Sequence, residues 1–128
     1  MTKETYGAER LVSDLLELGF NAEIVDDKEG NKYAVIHKYG VELGRFAGRI
    51  VDLGIMATPD YPRSVASAIH VKSEPQLFEK SDSLANVRNI IDSNLGTEWR
   101  YWSHNFNWIT ERNTRRLISQ INTIFNNA

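Results

Sequence analysis

The sequence contains no cysteine, only three prolines and no long apolar run. Without cysteine this chain cannot form a disulfide, a thiolate metal site or a thioester. No stretch of about 18 apolar residues, the length that a membrane helix needs, is present. Residues 1–5 also lack the basic and apolar segments that open a secretory signal. We therefore expect a cytoplasmic protein that does not contact a membrane.

The residues that are present are typical of one soluble domain, which we expect to span residues 1–128. His37, His70 and His104 lie far apart and match no metal-ligand spacing. We accordingly expect neither a metal nor a cofactor. The net charge of −2 makes nucleic acid an unfavourable partner for the whole molecule.

Hydrophobic periodicity predicts a helix near each end of the chain. The first is marked by an apolar face that ends before Gly19 (Ala8, Leu11, Val12, Leu15, Leu16), and the last by a similar face (Leu117, Ile118, Ile121, Ile124, Phe125). Strand-forming residues and turn signals predict four antiparallel strands between them, at 20–25, 32–37, 49–56 and 67–71. These strands form a meander, and a bend with two prolines precedes the fourth.

The remaining segment, between the fourth strand and the last helix, has weaker signals. Residues 73–83 are polar and predict a surface loop, and the apolar residues of 84–91 predict a short helix. An aromatic segment at 99–108, which holds all three tryptophans, is expected between these helices. The order indicates an α+β fold with an N-terminal helix, a four-stranded antiparallel meander and C-terminal helices.

Two motifs give this order a family resemblance. The bend Pro59-Asp60-Tyr61-Pro62 resembles the Tyr-Pro motif that precedes the fourth strand of ubiquitin-conjugating enzymes. The segment Trp99-Arg100-Tyr101-Trp102-Ser103-His104, followed by Trp108, is similar to the Trp-x-x-Trp-Ser-Arg-His-x-x-x-Trp signature of the prokaryotic ubiquitin-conjugating-like family E. The resemblance covers roughly residues 33–125 and implies the ubiquitin-conjugating fold.

The sequence also departs from that pattern. The His-Pro-Asn tripeptide of typical conjugating enzymes is absent, and His70-Val71-Lys72 stands near its place. There is no cysteine to carry a modifier as a thioester, and a serine such as Ser103 has a far more basic alkoxide. The resemblance therefore implies a noncatalytic protein that binds a ubiquitin-like modifier or an activating-enzyme-like protein. It also implies a bacterial modification pathway of a kind linked to defence against phage.

The predicted binding residues centre on the aromatic motif and the bend: Trp99, Arg100, Trp102, Trp108 and Tyr61. Exposed aromatic rings beside an arginine are typical of binding hot spots. The same tryptophans are equally suited to anchor the last helix on the sheet, because they bury large apolar surfaces. For at least two of the three, the sequence favours the anchoring role.

Two other functions remain open at this stage. A small hydrolase or acyl-transfer enzyme would need Ser103, His104 and His70 to converge in one cleft. A nucleic-acid-binding module would use the basic face of Arg112, Arg115 and Arg116 together with an exposed tryptophan for stacking.

Overall fold

The computed structural model describes residues 6–42, 44, 46–73, 90–93, 95–104, 106, 108 and 112–127. This described part of the chain contains two helices and six strands: α1 (Gly7–Glu17), β1 (Asn21–Asp26), β2 (Lys32–Gly40), β3 (Ile50–Met56), β4 (Ala68–Lys72), β5 (Ile90–Ser93), β6 (Gly96–Ser103) and α2 (Thr114–Asn127). The strands form one sheet in the order β1-β2-β3-β4-β6-β5, and all neighbouring pairs are antiparallel.

Helix α1 forms as predicted and ends at a glycine. Gly19 has φ +94°, a conformation that glycine adopts without a Cβ penalty. The Gly19 N–H donates to the Leu16 carbonyl and the Phe20 N–H donates to the Leu15 carbonyl, at 3.1 and 3.0 Å. These two bonds form the Schellman arrangement, which satisfies carbonyls that the end of a helix leaves unpaired.

The helices cover one face of the sheet, and the hydrophobic core lies between them. Leu11 and Leu15 from α1 and Leu117 and Ile121 from α2 are fully buried. From the sheet, Trp102 enters the same cluster and its ring centroid lies 5.4 Å from that of Phe125. The expected anchoring of the last helix on the sheet is therefore made by Trp102.

The predicted bend at Tyr61 joins the two helices to the sheet. The Tyr61–Pro62 peptide bond is cis, and the Tyr61 ring is completely buried. Its hydroxyl lies 2.7 Å from Thr114 Oγ1, which donates in turn to Asp14 Oδ2 at 2.7 Å. A short chain of hydrogen bonds thus connects the bend with the start of α2 and the middle of α1.

The α+β class and the first helix are confirmed, and the four predicted strands correspond to β1–β4. The aromatic segment differs from the expectation, because residues 96–103 form β6, which lies between β4 and β5 in a six-stranded sheet. Residues 90 and 91, which end the predicted helix over 84–91, belong instead to β5, and β5 pairs with β6. Residues 74–89, with the rest of that predicted helix and most of the predicted loop, lie outside the described residues. One C-terminal helix, α2, is present in the described part.

Candidate functional site

The sheet face opposite the helices brings polar and aromatic side chains together. Strand register aligns Val35, Gly54, His70 and Tyr101 across β2, β3, β4 and β6. Because side chains alternate between the two faces of a strand, all four lie on the same side. We call this side the His70 face. This face carries His70, which stands near the place of the His-Pro-Asn tripeptide of typical conjugating enzymes. We therefore take it as the candidate site.

His70 is deeply buried on this face. Its imidazole lies edge-on to Tyr33 and Tyr101, with ring centroids 5.0 and 5.3 Å away, and the residue is 4% exposed. Nδ1 is 2.7 Å from the hydroxyl of Ser93, a hydrogen bond between β4 and the end of β5. Burial lowers the pKa of His70 to about 4, against a weaker opposing effect of Asp27. The ring is therefore neutral at pH 7.

Asp27 and Tyr33 extend the polar network beside His70. The Tyr33 hydroxyl donates to Asp27 Oδ2 at 2.9 Å, and both residues are buried. Burial raises the pKa of Asp27, but hydrogen bonds from Asn31, Glu29 and Tyr33 outweigh it, so the pKa lies below its usual value. Burial and the adjacent Asp27 carboxylate both raise the pKa of Tyr33. The carboxylate therefore stays ionised while the phenol stays protonated.

Gly54 allows the His70 face to pack closely. A Cβ at this position would lie 2.8 Å from Leu95 Cδ1 and 3.4 Å from both His70 Cβ and Trp99 Cζ3. Real Cβ atoms do not approach a neighbour to 2.8 Å, so any side chain would displace Leu95. Gly54 is thus the position where the turn after β5 rests on the central strands.

The predicted catalytic trio does not assemble. His70 lies opposite Tyr101, whereas His104 follows β6 three residues later, about 10 Å farther along the strand direction. The His104 ring packs edge-on against Phe106 at 4.9 Å, and its backbone N–H donates to the Ser67 carbonyl. Ser103 lies opposite Ala68 in the ladder, and its side chain is outside the described residues. Two histidines with separate surroundings cannot share one reacting group.

The hydroxyl that does meet His70 is that of Ser93, which sequence reasoning missed. Ser93 is 23 positions away and carries no local motif, so only strand pairing reveals the contact. Ser93 Oγ also accepts the Leu95 N–H at 3.1 Å, and the residue is 8% exposed. Within the described part of the chain no carboxylate bonds to the His70 ring. The pair therefore lacks both the access and the orienting acid that a serine nucleophile uses.

The predicted binding residues divide into buried and half-exposed groups. Trp102 and Tyr61 are 1% and 0% exposed, so neither ring can touch a partner. Trp108 is half-buried: its ring stacks on Tyr61 and Nε1 donates to the Pro62 carbonyl at 2.7 Å. The predicted binding role therefore does not hold for Trp102 and Tyr61, because these rings fill space between the helices, the bend and the sheet. Trp99 and Arg100 keep part of their surface open.

Trp99 forms a small surface cluster with charged neighbours. The Lys72 ammonium lies 6.0 Å from the Trp99 ring centroid and 3.6 Å from Glu98 Oε1. These three residues stand at the end of β4 and the beginning of β6, next to the position of the missing tripeptide. Trp99 is one of the predicted binding residues, whereas Lys72 and Glu98 were not among them.

The basic residues of the nucleic-acid hypothesis surround the beginning of α2. Arg112, Arg115 and Arg116 are exposed, and Arg112 Nε donates to the Trp108 carbonyl at 3.2 Å. However, the neighbouring Trp108 ring is packed on Tyr61 and is not a free stacking platform. In the described part of the chain, the tryptophan beside these three arginines is therefore packed rather than open, which does not favour the nucleic-acid hypothesis.

A third histidine, His37, lies between two carboxylates on the same side of the sheet. Its Nε2 contacts Glu23 Oε2, and its Nδ1 lies 3.6 Å from Asp52 Oδ2. Because the acids approach opposite nitrogens of the ring, the three groups do not converge on one point. The described residues contain no cluster suited to a metal ion, and neither described helix could cross a membrane.

The sequence matches a known protein family. The family model described as Prokaryotic E2 family E covers residues 10–127. The chain belongs to this family. It has no significant match among curated proteins or solved structures. Membership supports, at a coarse level, a role related to ubiquitin conjugation, and the suspected relationship drawn from the aromatic motif and the Tyr-Pro bend is confirmed.

Proposed function

We propose that this family member works without thioester chemistry, by binding a ubiquitin-like modifier or the enzyme that activates it. The observation that carries the proposal is the absence of cysteine from a chain matched to the family over residues 10–127. A conjugating enzyme needs a group that is both a good nucleophile and a good leaving group at neutral pH. A thiol meets both conditions, because its thiolate forms near neutral pH and leaves readily, whereas a serine hydroxyl is a weak nucleophile and its alkoxide is a poor leaving group.

The surroundings of His70 support a noncatalytic role. The Ser93 hydroxyl is held by two hydrogen bonds: one is shared with His70 Nδ1, and the other is accepted from the Leu95 N–H. An activated carboxyl terminus would have to displace packed side chains to reach it, since Ser93 and His70 are both buried. These contacts are those of a structural network that fixes β4 and β5 to each other.

The partner surface that we favour is the cluster of Lys72, Glu98 and Trp99. A partly open tryptophan beside a lysine can contribute both apolar contact and charge to an interface. The pathway is proposed to be a bacterial protein-modification system in the cytoplasm, with defence against phage as its setting. We propose a modifier or activating enzyme encoded beside the gene as the partner.

The test is a calorimetric titration of the full chain with each neighbouring ubiquitin-like and activating-enzyme-like protein. We expect saturable, reversible binding to at least one of them and no covalent adduct by intact-mass spectrometry when activating enzyme and ATP are added. Trp99→Ala should weaken binding by about tenfold or more. The control is Trp108→Phe, which changes a tryptophan away from the cluster and keeps an aromatic ring on Tyr61 while removing the hydrogen bond to Pro62.

Two results would contradict the proposal. One is the lack of heat change with every candidate at high micromolar concentration. The other is an alkali-labile adduct that forms with ATP and disappears in Ser93→Ala but not in Ser73→Ala. That second result would establish an oxyester on Ser93 and would show that the chain is an enzyme.

A further inference from the structure

Strand β1 is an outer strand of the sheet, bonded to β2 on one side only. The hairpin that joins them closes with the Asp27 N–H donating to the Asn31 carbonyl at 2.9 Å. Hydrogen-bonded and non-bonded pairs alternate from there along an antiparallel ladder. The backbone groups of Asn21, Glu23 and Val25 therefore face β2. Those of Ala22, Ile24 and Asp26 face outward.

These outward groups form a template for another extended backbone. Three N–H donors and three carbonyl acceptors lie at the two-residue spacing of a strand. Among the residues that the structure describes, none pairs with this side of β1. An edge of this kind accepts an added strand, which gains affinity from main-chain hydrogen bonds and specificity from alternate side chains.

An apolar groove runs beside this edge, between β1 and α1. Leu16 is 53% exposed and Ile24 is 38% exposed, although both are large apolar residues. They face a cleft of about 500 Å³ that is lined by Glu9, Val12, Ser13, Leu16, Glu17 and Ile24. A strand added to β1 would place every second side chain in this groove, because side chains alternate between the faces.

The charge around the groove selects the occupant. Glu9 and Glu17 stand at its rim on α1, and Glu23 lies on the opposite face of β1. Residues 6–32 hold seven acidic residues (Glu9, Asp14, Glu17, Glu23, Asp26, Asp27, Glu29) against Arg10, Lys28 and Lys32, of which Lys32 pairs with Asp26. Such a field attracts cations and repels acidic segments. A second copy of this acidic edge would be repelled for the same reason.

We propose that β1 binds an extended segment of a partner protein, in which apolar and basic side chains alternate. The segment pairs with the outward groups of Ala22, Ile24 and Asp26 as an added strand. Its apolar side chains fill the groove beside Leu16, and its basic side chains lie near Glu23. The site needs neither a modifier nor an activating enzyme, so it goes beyond the proposed function and does not depend on it.

The experiment uses the full ¹⁵N-labelled chain and a synthetic peptide of alternating lysine and valine. We expect saturable shifts of the Ala22, Ile24 and Asp26 amide signals and slower hydrogen exchange at these amides. Ile24→Thr keeps a strand-forming residue but removes apolar contact, and it should weaken binding about tenfold. Ile50→Thr makes the same change at an exposed isoleucine of β3 and should leave the affinity unchanged.

The peptide's backbone and charge supply the remaining controls. A copy that is N-methylated on its bonding edge should not bind, and a copy with glutamate in place of lysine should bind at least tenfold more weakly. Circular dichroism confirms that each variant is folded. The proposal is overturned by absence of saturable shifts at about 1 mM peptide, by shifts confined to other strands, or by equal binding of the acidic or methylated peptide. Self-association through β1 without peptide would also overturn it.

Discussion

His37 and His70 lie on the same side of one sheet but in opposite surroundings. The side chain of His37, on β2, is 35% exposed and meets two carboxylates. His70, on β4, is 4% exposed, contacts two aromatic rings and bonds to a hydroxyl. The alternation of side chains along each strand places both rings on the same side of the sheet, whereas the residues of the neighbouring strands determine their contacts. The same residue type therefore meets charged partners at one position, and aromatic rings and a hydroxyl at the other.

The contrast between His70 and His37 is tested most strongly by introducing a lysine at each position. His70→Lys would bury an ammonium between Tyr33 and Tyr101, where no described carboxylate bonds to the ring it replaces. We expect the free energy of unfolding to fall by about 4 kcal/mol or more. His37→Lys places a cation beside Glu23 and Asp52 and should change the free energy of unfolding by less than about 1 kcal/mol. Urea unfolding of both variants measures the difference, and equal losses would contradict the contrast.

A pH titration tests the neutrality of His70 without any substitution. The ordinary histidine pKa is 6.5, and burial lowers that of His70 to about 4. Between these values the unfolded chain binds a proton that the folded chain does not. The free energy of unfolding is therefore full above pH 6.5 and falls as the pH drops toward 4, by up to about 3 kcal/mol.

The control for this titration is His70→Gln, which has no titratable ring. Urea unfolding between pH 7 and 4 should show a clearly smaller slope for this variant than for the wild type. Asp27, whose pKa is lowered, contributes its own loss only below the ordinary value of 3.8. Parallel curves for wild type and His70→Gln would show that His70 is protonated in the folded protein.

Removing the Ser93 hydroxyl sharpens the contrast by changing the partner of the buried ring. Ser93→Ala leaves His70 Nδ1 and the Leu95 N–H without their hydrogen bond. We expect a loss of about 1–3 kcal/mol in the free energy of unfolding, because buried polar groups lose their partner. Ser73→Ala, which removes a bond to Arg49 at a less buried position, should cost less. If Ser93→Ala left the free energy of unfolding unchanged, water would have to replace the hydroxyl without cost.

The smallest effect is expected at the exposed histidine. Glu23→Gln removes one of the two carboxylates beside His37, and the Glu23 side chain is 58% exposed. Solvent screens such pairs, so the free energy of unfolding should change by less than about 1 kcal/mol. Urea unfolding at low and high salt checks this. A loss comparable with that of Ser93→Ala would mean that the His37 pair is far better shielded than its exposure indicates.

Most of the fold could be predicted where one face of an element is apolar. Helix α1, β1–β4 and α2 each show a clear period, and the bend at Tyr61 has two prolines. Strand β6 was missed because Trp102 enters the core while Trp99 and Tyr101 lie on the other face. Because β6 has aromatic residues on both faces, its sequence lacks the alternation of apolar and polar residues that marks a half-buried strand. Residues 90 and 91 were assigned to a helix because short apolar runs fit both structures.

The candidate site was less predictable, because its contacts join distant residues. His70 was identified as a candidate from its place in the sequence, but its companions Ser93, Tyr33 and Asp27 were not. They meet through the pairing of β4 with β6, the β5–β6 turn and the β1–β2 hairpin. His104, the other histidine of the predicted trio, packs on Phe106 about 10 Å farther along the strand direction. The spacing of residues in the sequence therefore did not indicate which side chains share a site.

The sequence by itself determined the absence of thiol chemistry, the α+β class and the family, since these depend on residue types, local periodicity and a contiguous motif. Only the tertiary structure decided which tryptophan is buried, which histidine is neutral and which strand is left at the edge. Burial and strand order are set by contacts between residues far apart in the chain. Such contacts fix the local dielectric and the free hydrogen-bonding groups, and neither is encoded in any single segment.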